Sequence, residues 1–323
     1  MIATASLSAP ELRAYIDSKK PLRRLCLRGG VYQNMQLSGL RFDGVDATGA
    51  SFTGSDMRNV VWQDCVLDNA NFDDTQLEHG RFDRCSALKI SLARATAPWL
   101  TVSMSVFRSA NFERADLTRA DCQSSDFSGA MLASATMRIV SLRDCQFHGN
   151  RLDGACWDTV QTMRCDFTGA SFCRAHLTHC AFLQAVAVNT NFSEVIAPFV
   201  SFAKADVSNS YFVNAALQGA KFDDALLNDV DLTGSDLSMA RFVRARAKDI
   251  LCVRTMLAKA DFSRANFAKA DFSDALVNDA IFHAFLHENT VWDRCNRGAA
   301  RPDDQMLLEA WNWQPKKMSK TML

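Results

Sequence analysis

The sequence predicts an all-β solenoid, on three observations: a five-residue apolar beat, small residues two positions before each beat, and an unbroken register. From Leu22 to Trp292 every fifth residue is apolar, with Thr162 and His287 the two departures among 55 positions. Of the 22 phenylalanines, 20 fall in this one class. A period of five matches neither the 3.6-residue turn of a helix nor the alternation of an ordinary strand. It is the mark of a repeat architecture. Two residues before each centre, between Lys20 and Thr290, 23 of 55 positions are Ala, and most of the others are Ser, Thr, Cys, Gly or Val. One residue before the centre Asp and Asn recur, as at Asp46, Asn71, Asp116, Asp206 and Asp261. The remaining two positions are mixed and polar, as solvated sites should be.

Stretches such as ANFERADLTRAD (110–121), GSDLSMARF (234–242) and ADFSRANFAKADFSDA (260–275) resemble the pentapeptide-repeat family, whose pattern is small–Asp/Asn–Leu/Phe–x–x. The resemblance implies a right-handed quadrilateral parallel β-helix, with four pentapeptides per coil and about 14 coils. At the spacing of paired strands such a rod runs roughly 65 Å. On this map the central residues, Phe262, Phe267 and Phe272 among them, are structural core pointing to the axis. The small residue two before each centre also turns inward. Asp or Asn suits the corner, because its side chain bonds nearby backbone.

Each end of a solenoid exposes a sheet edge that needs cover. Ser8-Ala9-Pro10-Glu11 has capping-box spacing, and Leu12, Tyr15 and Ile16 supply one apolar face. A capping helix over about residues 9–18 is expected, within an N-terminal segment 1–20. The array occupies 21–295, and the register falters at Phe285 and His287. In 296–323, Pro302 and Asp303 are expected to start a helix with the face Leu307, Leu308 and Trp311. That helix either covers the last coil or pairs with a second copy. The tail from Pro315 is expected to be mobile.

Composition narrows the function. Charge balances at 36 basic and 36 acidic residues, so nothing overall points to a polyanionic partner. No run of 18 apolar residues suggests a membrane span. No basic start followed by an apolar stretch marks a secretory signal. Eleven cysteines without paired spacing suit reduced thiols and a cytoplasmic location. Six of them (Cys65, Cys85, Cys145, Cys165, Cys180 and Cys295) fall in the small inward class. The cluster CRAHLTHC (173–180) invites a zinc reading. The coil map spreads Cys173, His176, His179 and Cys180 around a corner, with Cys156 beneath His176, so no metal and no cofactor is expected. No phosphate loop, GxSxG or HExxH occurs, and the repeat itself accounts for the many Asp. No catalytic residue is therefore assigned. Nucleic-acid binding finds no strongly basic face interleaved with aromatics.

The outward surface holds the candidate site. Trp99 in TAPWLTV (96–102) and Phe199 in IAPFVSF (196–202) lie 100 residues apart. At 20 residues per coil they share one column, five coils or roughly 24 Å apart. The same column carries Ile139 and Met239, with His79, Arg119, His179 and Lys259 between. The aromatics either cover the small centres Ala97 and Ala197 locally, or form a partner-binding stripe of Trp99, Phe199, Ile139, Met239 and Arg119. The family resemblance implies a non-enzymatic scaffold for a protein partner, acting as a monomer or as a homodimer through the C-terminal helix. A helix leading into the array is similar to accessory and adaptor proteins of bacterial type VI secretion systems. Relatives that mimic DNA and bind DNA gyrase are a second reading. This chain departs from their acidic charge and projecting loops. A secreted effector is a third.

Overall fold

The computed structural model describes residues 6–312. Four ladders of parallel bridges link residues 20 apart, as in Leu22↔Phe42, Cys26↔Asp46, Val31↔Ser51 and Gln36↔Asp56. One coil is therefore four pentapeptides with four walls. The first wall is a nine-stranded parallel sheet running from Leu22–Arg23 to Ala181–Leu183. Isolated bridges carry it onward through Ser201, Lys221, Arg241 and Asp261 to Ile281. A shorter three-stranded sheet on the fourth wall joins Met137–Arg138, Cys156–Asp158 and His176–Thr178.

Backbone hydrogen bonding explains the residue at each place. In the coil around Leu27, the centre's N–H donates to Asp46 O, Asp46 N–H donates back to Leu25 O, and Gly29 N–H donates to Thr48 O. Gly30 N–H closes the corner on Leu27 O. In pentapeptides of this kind one donor stays unpaired by backbone, the N–H just after the centre. The Asp or Asn before the centre takes it: Asp46 Oδ1 accepts from Thr48 N–H at 3.1 Å, Asn71 Oδ1 from Asp73 N–H at 2.8 Å, and Asp261 Oδ1 from Ser263 N–H at 2.9 Å. Elsewhere a carboxylate one coil earlier does so, as Asp68 does for Leu88 N–H at 2.9 Å. The acids complete the backbone account of the coil.

Each corner also needs a left-handed residue. Every fifth residue from Arg24 to Arg294, with Ser134 excepted, has φ between +47° and +71°. Glycine fits such a position without steric cost, and 11 of the chain's 14 glycines sit there.

The core is a stack of rings. Phe222, Phe242, Phe262 and Phe282 lie face to face at 4.9–5.0 Å along one wall. Phe262, Phe267 and Phe272 are fully buried, as are the small residues Ala260, Ala265 and Ala270 beside them. Thr162, polar in an apolar column, is buried with its hydroxyl donating to Ala181 O at 3.1 Å.

Helix α1 (Ala9–Asp17) closes the first coil. Ser8 and Glu11 form the expected capping box, Leu12 is fully buried, and the buried Tyr32 hydroxyl donates to Leu7 O. The far end differs from expectation. A 3-10 turn spans Arg297–Ala299, and helix α2 (Gln305–Asn312) starts after Pro302 and Asp303, with Asp304 Oδ1 accepting Leu307 N–H at 3.1 Å. Trp311 lies under the Arg264 guanidinium at 4.0 Å, on the rod's flank. A cavity of about 590 Å³ remains among Phe282, Phe285, Trp292, Arg297 and Leu308. The tail from Pro315 lies outside the described residues.

Charge is neutralised along the rod. Arg84, Arg94, Arg164, Arg244 and Arg294 each hold the Asp one coil earlier (Asp64, Asp74, Asp144, Asp224, Asp274) with two parallel bonds of 2.6–2.9 Å. The arginine hydrogen bonds lower all five carboxyl pKa values. A lowered folded-state pKa stabilises above the unfolded value and is lost as pH falls through the folded one. Thermal unfolding midpoints are therefore expected to stay level from pH 7 to about 4 and fall below it. Asn at all five positions is expected to shallow that acid slope, and scanning calorimetry between pH 2.5 and 7 checks it.

Candidate functional site

Trp99, Ile139, Phe199 and Met239 occupy one outer column, all at the left-handed corner, with φ of 61°, 56°, 61° and 62°. Large apolar residues at that corner are otherwise confined to Met104. The conformation costs a non-glycine residue roughly 1–2 kcal/mol, and a β-branched residue such as Ile139 is a steric outlier there. These side chains gain only partial burial in return: Trp99 is 44% exposed, Ile139 45%, Phe199 63% and Met239 51%. The other corners are filled mostly by Gly and by polar or charged residues, so this column stands apart as an exposed apolar one.

Both aromatics lie along the wall outside the axis. Trp99 stacks on His79 at 5.9 Å, and the Arg119 guanidinium covers its ring at 4.6 Å. Phe199 lies over the next coil at Gly219, where a Cβ would come within 2.5 Å of the ring. Local packing and outward exposure coexist, since each ring spends one face on the rod and presents the other. The structure brings the five predicted residues into line along one wall.

It also adds residues that sequence reasoning passed over. Ile196, Met256 and Leu276, three places before the corner column on the same wall, are 46%, 43% and 50% exposed. With Phe199 and Met239 they add exposed apolar groups to the C-terminal half of this wall. Following the residue before each centre modulo 20 would have found them.

Exchanging Ile139 for Asn, a residue that tolerates the left-handed corner, is expected to stabilise the rod by about 1 kcal/mol. Urea unfolding of Ile139→Asn against the parent checks the sign.

The cysteine–histidine cluster is dispersed. Cys180 is buried in the core, Cys173 is half-buried, and His176 pairs in register with the exposed Cys156. His179 Nδ1 lies 4.0 Å from Asp158. Among the described residues no three His, Cys, Asp or Glu side chains come together to hold a metal ion.

Residues 33–61, 105–132, 165–197, 210–246 and 253–283 match the family model "Pentapeptide repeats" in 8 copies. A search of curated proteins finds no match. Among solved structures, HetL from the cyanobacterium Nostoc sp., a pentapeptide repeat protein involved in heterocyst differentiation regulation, is 17% identical over 90% of this chain and 96% of its own, with a TM-score of 0.24. QnrB1, a plasmid-mediated fluoroquinolone resistance protein, is 17% identical over 66% of this chain and 97% of its own, with a TM-score of 0.25. The pentapeptide repeat protein Rfr23 from the cyanobacterium Cyanothece is 19% identical over 33% of this chain and 91% of its own, with a TM-score of 0.28. The five-residue register, the four-walled coil and the repeated match to the family model make the chain a member of the pentapeptide-repeat family.

Proposed function

We propose that the protein is a non-enzymatic scaffold that binds a protein partner along the wall carrying Trp99, Ile139, Phe199 and Met239, with Arg119 fixing the Trp99 ring. One observation carries this reading: four large apolar residues stand exposed in one column whose backbone conformation disfavours them. The carboxylates support the non-enzymatic part, because they bond the backbone or the arginines of the next coil. Buried, unpaired thiols support a cytoplasmic location. Self-association through α2 would use the half-buried Phe285 and Trp292 at the C-terminal end. The narrower form of this proposal is an adaptor of a bacterial type VI secretion system, on the likeness of layout.

A photo-crosslinking residue placed at Met239 is expected to trap a partner in the host cell, while the same residue at Asn228 on the second wall traps none. Equal capture at both sites overturns the contact wall. Inhibition of DNA supercoiling by gyrase on adding the protein would replace this reading with the DNA-mimic one. Its balanced charge of 36 against 36 argues for no inhibition.

A further inference from the structure

The walls are continuous except at one place. Bridges run Asn111↔Met131 and Arg151↔Ser171, but none joins Met131 to Arg151, and none joins Thr136 to Cys156. Arg151 N–H does not reach Ala130 O and Leu132 N–H does not reach Arg151 O, although the equivalent bonds form in the coils on either side. Ser134 N–H does not reach Asp153 O, and one coil earlier Arg114 N–H donates to the Ser134 hydroxyl at 3.2 Å. Ser134 is also the corner residue that is not left-handed. A cavity of about 520 Å³ opens here, lined by Gly129, Ala130, Met131, Ser134, Gly149 and Arg151.

Asn150 explains the break. It occupies the small inward position, fully buried, where Ala130 and Ala170 stand in the coils on either side. Its Nδ2 donates to Phe127 O at 3.1 Å and to Ala130 O at 3.3 Å, and its Oδ1 accepts Gly129 N–H at 2.7 Å. Ala130 O is the acceptor that Arg151 N–H would otherwise use. Thr190, at the same inward position two coils on, bonds the corresponding carbonyl Phe167 O at 2.9 Å without disturbing the ladder, and Asn191 N–H still reaches Ala170 O. The hydroxyl is too short to compete for the second carbonyl, whereas the amide reaches both.

The first wall holds across the same two coils, and the second and fourth stay bonded at their centres, although Gly129 N–H turns to Asn150 and Thr136 loses Cys156. Asp121↔Ser141 and its neighbours stay paired on the first wall, Phe127 N–H reaches Gln146 O, and Met137 still pairs with Trp157. One wall open and its neighbours bonded is the geometry of a hinge whose axis lies in the bonded walls. We propose that Asn150 builds a hinge into the rod, at which the two halves bend by opening and closing the third wall between Gly129–Ser134 and Gly149–Asp153. Trp99 and Arg119 lie on one side of it, Phe199 and Met239 on the other. Bending therefore changes the alignment of the two anchors, a consequence that rests on the contact wall proposed above.

The test needs no partner, so its failure leaves the contact wall standing. In hydrogen exchange, the amides of Leu132, Ser134 and Arg151 are expected to exchange about ten-fold or more faster than those of Phe112, Gly154 and Ser171. Asn150→Ala and Asn150→Thr, residues the fold already accepts at this position, are expected to bring them to the protection of their neighbours. For the bending itself, Cys156, Cys173 and Cys295 are replaced by Ser, and spin labels are attached at Lys89→Cys and Asn209→Cys, six coils apart along the corner column beside the gap. The pulsed-resonance distance distribution, centred near about 29 Å, is expected to be broad with Asn150 and narrow with Asn150→Ala. Equal protection in the parent protein, or a distribution that Asn150→Ala leaves unchanged, overturns the hinge.

Discussion

Replacing Phe262 by alanine is expected to destabilise the rod by about 3–5 kcal/mol. The ring is fully buried between Phe242 at 4.9 Å and Phe282 at 5.0 Å, and it meets Phe267 and Phe272 edge-on at 5.2 Å and 5.9 Å. A globular core partly collapses into such a vacancy. Here the hydrogen-bonded rungs fix the spacing between coils, so the walls cannot close and the cavity persists. Each coil contacts only its neighbours, and the C-terminal end is already thinly covered. The loss is expected to appear first as unfolding of the coils beyond Ala260. Urea titration with hydrogen exchange checks both the size and the place, and Phe262→Leu is expected to cost less than half as much.

The fold was legible because its repeat never slips. One apolar centre per five residues assigned Phe262, Phe267 and Phe272 to the axis, and the Ala column beside them marked how little room the axis leaves. The role of Asp and Asn was legible only in outline: Asp46 and Asp261 do bond nearby backbone, but the reason is an N–H just after the centre that no carbonyl serves. Three things stayed hidden. The second residue after each centre looked simply polar, although 11 glycines stood there as the sign of a left-handed corner. Without that knowledge Trp99, Ile139, Phe199 and Met239 were unusual only for being outward and apolar. The start of α2 was also missed, because Pro302 drew the helix forward when Asp304 caps it. Asn150 could not be distinguished from the other small inward residues, since its effect depends on the reach of an amide across a coil.

The proposed contact wall stands on Trp99 and Phe199, so the decisive variant is Trp99→Ala/Phe199→Ala. Both rings lie outside the axis, above the fully buried Ala97 and Ala197, and their removal opens no core cavity. The expected change in stability is within about 1 kcal/mol, as for other surface positions. Exposed aromatic anchors at the centre of an interface commonly carry 2 kcal/mol or more each, so together they are expected to weaken binding about 100-fold or more. The measurement is the dissociation constant of the partner trapped at Met239, for the parent and the double variant, with the unfolding midpoint recorded on the same samples. The account predicts the large loss of affinity at an almost unchanged midpoint. An affinity that stays at the parent value contradicts it.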